Sequence, residues 1–385
     1  MTFLISKEEP SAQQSNQRAG GIGHKNSQHH GSTPFEPVAI IGMAMRLPGR
    51  VRNEVDFWDL LSGKKSGLCD VPKDRFNVNG FYDPAGKAGT IPINRGYFLQ
   101  DVDIQQFDPT VFPISKKELE RLDPAQRQLL QVAYECFESA GISSWRGSSI
   151  GCYVGEFGQD WVDVNAKETQ HRGGYRGTGF GDFAMSNRIS YEFDLRGPSM
   201  TVKTACSSSL VGLDLACEAI RNGECDGALV GGISLMFSPT TWMTLNDMEL
   251  LSPRGQCRTF DATADGYARG EAVNMVLIKK LSAALRDNDP IRAVIRGTGV
   301  NSDGRTQGML TPSPRAQADL IRRTYATAGI QDMSATAIVE CHGTGTPVGD
   351  PLEVEAVASC FGDEGIIITS VCCAFLPVEV GNSVC

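Results

Sequence analysis

Residues 125–155 read AQRQLLQVAYECFESAGI…SIGCYVG, and residues 313–343 read SPRAQADLIRRTYATAGI…TAIVECHG. A shift of 188 carries Gly155 onto Gly343, and with it Val132 onto Leu320, Phe137 onto Tyr325 and Ala140-Gly141-Ile142 onto Ala328-Gly329-Ile330. Each copy reads as an amphipathic helix, an Ala-Gly-Ile turn and a buried strand. Self-similarity at a fixed period marks repetition of one folding unit, so the chain is expected to hold a duplicated α/β half-domain. Within 385 residues a period of this length leaves the second half incomplete, which points to truncation.

The first copy opens at Asp123-Pro124, a capping acid followed by the proline that a first helical turn tolerates. Leu129, Val132, Ala133, Cys136, Phe137 and Ala140 share one face, Gly141 stops the helix, and Ile150–Gly155 is the strand. Upstream, Pro37-Val-Ala-Ile-Ile-Gly-Met reads as a buried strand. A helix is expected around Glu54–Gly63, with Val55, Trp58 and Leu61 on one face. Residues 64–115 are loop-rich. Residues 1–34 are rich in Gln, Ser, Asn, Gly and His, lack apolar periodicity, and are expected to be a disordered leader. His24, His29 and His30 within it read as a solvated tail rather than a metal site.

Composition narrows the function. Apolar residues make up 41% and charged residues 21%, which is ordinary globular usage. Lys plus Arg is 36 against 45 Asp plus Glu, a net charge of −9. That balance argues against nucleic acid as the main partner, because no basic excess exists to neutralise phosphates. No apolar run is long enough to span a membrane, and the short apolar patch in MTFLISKEEP is too short for a secretory signal. The twelve cysteines form no CxxC pair and have no histidine partner at zinc spacing. They read as reduced, mostly buried thiols of a cytoplasmic protein, with no metal site.

Two segments carry chemistry. GPSMTVKTACSSSLVGLDLACEAIRNG, residues 197–223, reads as strand, sharp turn and helix, with Leu210, Leu213, Ala216, Cys217 and Ile220 at helical spacing and Gly223 as the stop. Cys206 falls where that helix begins, among Ala205, Ser207, Ser208 and Ser209. A helix N-terminus favours a thiolate and offers backbone N–H groups to an oxyanion, so Cys206 suits a nucleophile. A buried thiol capping a core helix is the plainer alternative. In IVECHGTGTPVGDPLE, residues 338–353, a buried strand runs into a Gly/Thr loop and a helix begins near Pro351. His342, at the carboxyl end of that strand, points to the ligand crevice of an α/β sheet, and Thr344 and Thr346 offer hydroxyls to a polar substrate arm. The loop lacks both a Walker lysine and GxGxxG spacing, so it is no phosphate loop.

GPSMTVKTACSSSLVGLDLA followed by VECHGTGTPVGDPLE resembles the β-ketoacyl synthase (ketosynthase) domain of a type I polyketide synthase, of the fungal reducing type. PVAIIGMAMRLPG, FWDLLSGKKSG, SNRISYEFDLRGPS and CRTFDATADGYARGEAVNMVLIKKL extend the resemblance over about residues 37–371. It implies a thiolase-like fold of two related α/β halves. It also implies that Cys206 takes an acyl group from the phosphopantetheine thiol of an acyl carrier protein. A malonyl carrier would then be decarboxylated and its enolate would attack the Cys206 thioester. His342 matches the family's first active-site histidine, and Thr344 and Thr346 would contact the pantetheine arm. No directly bound cofactor is implied. The partners implied are acyl carrier protein, acyl and malonyl thioesters and, for an intact protein, a second copy in a homodimer.

Two departures from the pattern stand out. Asp is frequent in the family where Lys203 stands, and its ammonium is expected to point to solvent. After Val371 the family continues with a lysine and a Gly-His pair, whereas Cys372–Cys385 holds neither Lys nor His. The expected organisation is therefore a leader over 1–34, an N-terminal ketosynthase half over 35–285, a partial C-terminal half over 291–371 and an aberrant tail over 372–385. The tail is ascribed to a retained intron, a frameshift or a mis-assigned exon. The expected activity is acyl transfer and decarboxylative condensation, impaired or lost in this chain. The alternative is a non-catalytic fragment that docks on intact synthase subunits.

Overall fold

Short runs of Val, Ile, Leu and Ala broken by glycine favour strands buried on both faces. The computed structural model describes residues 2–6, 36–166, 174–362 and 365–371. Its strands are β1 (Thr2–Ser6), β2 (Val38–Arg46), β3 (Leu68–Asp70), β4 (Arg95–Tyr97), β5 (Ile150–Glu156), β6 (Ser199–Val202), β7 (Gly227–Ser234), β8 (Ala272–Lys280), β9 (Ala293–Gly299), β10 (Ile338–Glu340) and β11 (Ile367–Thr369). The helices are α1 (Glu54–Ser62), α2 (Lys116–Leu119), α3 (Pro124–Ser139), α4 (Asp160–Ala166), α5 (Arg176–Phe180), α6 (Ala184–Phe193), α7 (Ser208–Asn222), α8 (Thr240–Asp247), α9 (Leu281–Asp287), α10 (Pro314–Thr327) and α11 (Gly349–Phe361).

One sheet runs β1-β9-β2-β8-β7-β5-β6, with β6, β5 and β7 parallel and the remaining pairs antiparallel. Alternation along its strands divides two cores. Cys152 and Val154 of β5 and Leu229 of β7 join α3 and α6 on one face. Tyr153 of β5 and Val230 of β7 join Leu213, Ala216, Cys217 and Ile220 of α7 on the other. The sheet therefore lies between the helix of the first repeat and the helix that follows Cys206.

The 188-residue echo is realised in the backbone. Helices α3 and α10 both end at a left-handed glycine, Gly141 at φ +70° and Gly329 at φ +69°, and β5 and β10 begin at Ile150 and Ile338. Each helix lies against a strand glycine at equivalent places. A Cβ on Gly42 of β2 would come within 2.4 Å of the Cys136 carbonyl and 2.9 Å of the Ala140 Cβ. A Cβ on Gly297 of β9 would come within 3.2 Å of the Thr324 carbonyl and 3.0 Å of the Ala328 Cβ. The pairs 136/324 and 140/328 obey the same shift. The copies differ in pairing, since β9 is edge-paired to β2 over three residues while β10 forms a separate two-stranded parallel sheet with β11.

Two expectations are corrected. Thr2–Ser6, inside the stretch expected to be a leader, forms a strand whose backbone pairs antiparallel with β9. Its Phe-Leu-Ile run has strand propensity, and the open edge of β9 supplies ladder partners. Residues 7–35 with the three leader histidines, and the tail from Cys372, lie outside the described residues. In α1, capped by Asn53, it is Leu60 that is buried, whereas Val55 and Trp58 are 63% and 68% exposed. A helix of nine residues has too few turns for periodicity alone to choose between its Phe57-Leu60-Leu61 face, which packs on Met45 and Val51, and its neighbour.

Candidate active site

Strands β5 and β6 run parallel with Gly155 beside Val202, and the chain then turns sharply. Ala205 sits at φ +58°, a left-handed conformation that costs a non-glycine residue roughly 1–3 kcal/mol and persists only when the surroundings hold it. Three bonds do so. The Thr204 N–H donates to Ser208 Oγ at 2.8 Å, Ser208 Oγ donates to the Ala205 carbonyl at 2.7 Å, and Ser207 Oγ donates to the Thr204 carbonyl at 2.9 Å. Cys206 occupies a 3-10 turn, Ala205–Ser207, directly before α7. Strand glycines admit the first turn of α7 to the sheet, because a Cβ on Gly155 would stand 2.3 Å from Ser209 N.

Cys206 is exposed, whereas Cys136, Cys152, Cys217, Cys225, Cys257 and Cys341 are buried. Burial pushes the Cys152, Cys217 and Cys341 thiols up to about 12, which keeps them protonated and unreactive. The exposure of Cys206 does not fit a thiol capping a core helix.

His342 leaves β10 and enters the Gly/Thr loop. A side-chain hydrogen bond with Cys206 raises the imidazole above its ordinary value against the opposing effect of burial, and the charges of Cys206 and Glu353 add to the rise. The structure thus joins Cys206 and His342, which lie far apart in sequence. The loop is held through its backbone. The Glu353 carboxylate accepts from the N–H groups of His342 at 2.6 Å and Gly343 at 2.8 Å, and Ser370 Oγ donates to the His342 carbonyl at 3.2 Å. Gly343, at φ +51°, packs where a Cβ would lie 2.4 Å from Thr259 Cγ2. That glycine serves a close left-handed turn.

Thr344 and Thr346 stand on this loop with their hydroxyls 3.1 Å apart, and Thr346 Oγ1 also accepts from the Gly349 N–H at the start of α11. The Thr346 hydroxyl therefore ties down the backbone where α11 begins as well as facing its neighbour.

Lys203 adds to the expectation. Its Nζ is 2.6 Å from Asp182 Oδ2 and 3.5 Å from Glu156 Oε2, and it donates to the Gly158 carbonyl at 3.4 Å. It is exposed, as expected, but also ion-paired, because two carboxylates from distant segments meet at the strand ends where it emerges.

Other groups at the site had no local signal. Tyr267 lies near enough to Cys206 that, after burial as the main cause, the negative potential of Cys206 helps push the phenol up to about 12. The Asp350 carboxylate accepts from the N–H groups of Phe260 at 2.8 Å and Gly345 at 3.0 Å, tying the loop to the segment before Tyr267. Glu353 and Asp350 stand in the quoted motif, but only three-dimensional contact shows their work. Among the described residues no group of three His, Cys, Asp or Glu side chains is placed to hold a metal ion, and no helix is long and apolar enough to cross a membrane.

Burial pushes the carboxyls of Asp123 and Glu156 up to about 7. Both values are raised above those of the unfolded chain, so the stability they contribute is complete below about pH 4 and is lost as pH rises through 7. The loss amounts to about 1.4 kcal/mol for every pH unit between a carboxyl's unfolded and folded values. The urea midpoint is therefore expected to be higher at pH 5 than at pH 8, and Asp123→Asn with Glu156→Gln is expected to flatten that slope. An equal slope in the double variant would contradict the assignment.

Fold and site define a thiolase-like α/β protein with an exposed cysteine paired to a histidine across two strand ends. Residues 35–284 match the N-terminal domain of β-ketoacyl synthases and residues 292–373 match the C-terminal domain. The chain belongs to the β-ketoacyl synthase family. It is 64% identical over 336 residues to the highly reducing polyketide synthase lcsB of Purpureocillium lilacinum, covering 87% of this chain and 12% of that protein. It is 56% identical over 335 residues to a highly reducing polyketide synthase of a Fusarium species, covering 87% of this chain and 13% of that one. The chain thus spans about an eighth of the length of these curated relatives. Among solved structures, the oxazolomycin ketosynthase domain of Streptomyces albus aligns with a TM-score of 0.80 and 36% identity, covering 87% of this chain and 60% of that one. The ketosynthase from module 6 of the Bacillus subtilis bacillaene synthase aligns with a TM-score of 0.78 and 37% identity, covering 87% and 57%.

Proposed function

We propose that this chain is the acyl-accepting part of a polyketide synthase ketosynthase, with Cys206 as nucleophile and His342 as its acid–base partner. The observation that carries the reading is the hydrogen bond between the exposed Cys206 thiol and the His342 imidazole. The imidazole takes the thiol proton, and the thiolate attacks the carbonyl of an acyl thioester and expels the pantetheine thiol, which recovers a proton. Splitting transfer from carbon–carbon bond formation through a covalent thioester lowers each barrier. The acyl group arrives on the phosphopantetheine arm of an acyl carrier protein, and Thr344 and Thr346 stand on the loop that this arm would follow. A second copy in a homodimer is the expected quaternary partner.

Decarboxylative condensation with a malonyl carrier is the second half of the proposed reaction. The family pattern places a lysine and then a Gly-His pair directly after Val371, where this sequence reads Cys372-Cys-Ala-Phe-Leu-Pro, and on that departure we propose that this step is slow. Incubation with acyl- and malonyl-pantetheine thioesters tests both halves. The expected result is thiol release with little carbon dioxide. Carbon dioxide and β-ketoacyl product at the rate of an intact ketosynthase would overturn the impairment, and no thiol release would overturn the acyl transfer. In that event, co-purification with an intact synthase would favour a docking fragment.

A further inference from the structure

The sequence places a lysine three residues before the proposed nucleophile, and the structure surrounds it with acids. Because β5 and β6 are parallel with Gly155 beside Val202, the next residues, Glu156 and Lys203, emerge side by side at the strand ends. Asp182, in the loop before α6, closes on the same ammonium at 2.6 Å. Asp182 stands 21 residues before Lys203 and Glu156 stands 47 before it, so nothing local in the chain brings them together. The Glu156 carbonyl also accepts from Ser208 Oγ at 3.4 Å, and that hydroxyl in turn holds Thr204 and Ala205. One strand end thus grips the nucleophile turn from both sides, by its backbone on the α7 side and by its side chain on the Lys203 side.

We propose that Lys203 is a positioning residue for Cys206: its ammonium, shared between Asp182 and Glu156, clamps the strained Thr204–Cys206 turn to the end of β5 and so keeps the thiol aimed at His342. This rests on Cys206 being the nucleophile and adds the device that holds it. The left-handed Ala205 needs such over-determination. The three hydrogen bonds of the turn are local and turn with it, whereas the Lys203 pairs anchor it to the rest of the fold. A carboxylate at position 203 would face Asp182 and Glu156 with like charge. The charged and titratable groups facing Glu156 are Lys203 from the end of β6, Asp182 from the loop before α6, and Asp123 from the cap of α3, which is itself faced by Arg127 of α3 and Asp160 of α4. With Glu156 near 7, the clamp holds two ion pairs above neutrality and one, to Asp182, below it.

The test uses the full chain and reads alkylation of Cys206 by iodoacetamide, resolved by peptide mass spectrometry, across pH 6–9. Misplacing a reacting group by about 1 Å costs up to about 100-fold, so Lys203→Met is expected to slow Cys206 labelling by about tenfold or more. Lys203→Arg is expected to restore it to within about twofold, since guanidinium can bridge the same two acids. Glu156→Gln is expected to remove the step near pH 7 from the wild-type profile while leaving the contribution of His342. Should Lys203→Met fail to fold, Asp182→Asn breaks the same clamp from the other side and is expected to give the same slowing. Labelling of a folded Lys203→Met or Asp182→Asn chain at the wild-type rate, with an unchanged pH profile, overturns the proposal. A parallel arm with an acyl-pantetheine thioester separates the two readings. If no chain is acylated yet alkylation follows the clamp, the ketosynthase reading falls and the clamp stands; if acylation occurs and labelling ignores Lys203, the reverse holds.

Discussion

His342→Ala is expected to slow acylation of Cys206 by about 10²–10⁴-fold, the usual worth of one positioned acid–base group, while leaving the melting temperature nearly unchanged. The imidazole is not what holds its loop. Glu353 grips the backbone N–H groups of residues 342 and 343, Ser370 bonds the carbonyl of residue 342, and Asp350 bonds Gly345 and Phe260. Removing the ring therefore deletes the proton acceptor of Cys206 and little else. The ring's raised pKa comes chiefly from its bond with Cys206, so the reciprocal effect is expected on the thiol. In His342→Ala the alkylation of Cys206 should shift to higher pH. Measured side by side, an equal rate and an equal pH profile in the two chains would show that the pair is a contact without chemistry.

Glu271→Ala is expected to be the most damaging single change to the fold. Glu271 and Arg75 are 0% and 1% exposed and meet in a two-pronged pair, with Oε1 accepting from Arg75 Nε at 2.7 Å and Oε2 from Nη2 at 2.9 Å. The same two oxygens accept from the Met236 N–H at 3.0 Å and the Leu99 N–H at 3.0 Å. One carboxylate thus fastens the segment after β7, the segment after β4 and the loop of Arg75 to the start of β8. Taking it away leaves the buried guanidinium with only the part-exposed Asp74 as an ion partner and two backbone donors unpaired in the interior, a loss of up to about 3–5 kcal/mol against a total domain stability of about 5–15 kcal/mol. A urea titration should show the midpoint fall steeply or the chain fail to fold. Replacing both partners together, as Arg75→Met with Glu271→Leu, is expected to recover much of the loss, because no charge is then stranded. A midpoint for Glu271→Ala close to wild type would mean that water reaches the pair.

The part of this architecture written in local sequence is the part that repeats. The Ala-Gly-Ile turns become left-handed glycines one degree apart in φ, at +70° and +69°, and the helices before them meet Gly42 and Gly297 at the same offsets. The Cys206 turn was legible because small residues sit between a strand pattern and an apolar helix pattern. What the sequence left open depends on partners distant along the chain. Lys203 finds acids 21 and 47 positions away. The buried face of α1 is chosen by Met45 and Val51 rather than by its own periodicity. β9 joins the edge of β2, and no pattern within β9 specifies that neighbour. The φ of Ala205 was equally invisible, since a left-handed alanine has no sequence mark where a glycine would have had one. In the site, Glu353 and Asp350 were in view as letters, but their role as acceptors of backbone N–H groups belongs to the folded loop.

The direct test of the account is where an acyl group lands. After incubation with an acyl-pantetheine thioester and proteolysis, peptide mass spectrometry should find one acyl adduct, on the peptide carrying Cys206, and none in Cys206→Ala. An acylated chain whose adduct maps to another cysteine, or persists in Cys206→Ala, would contradict it.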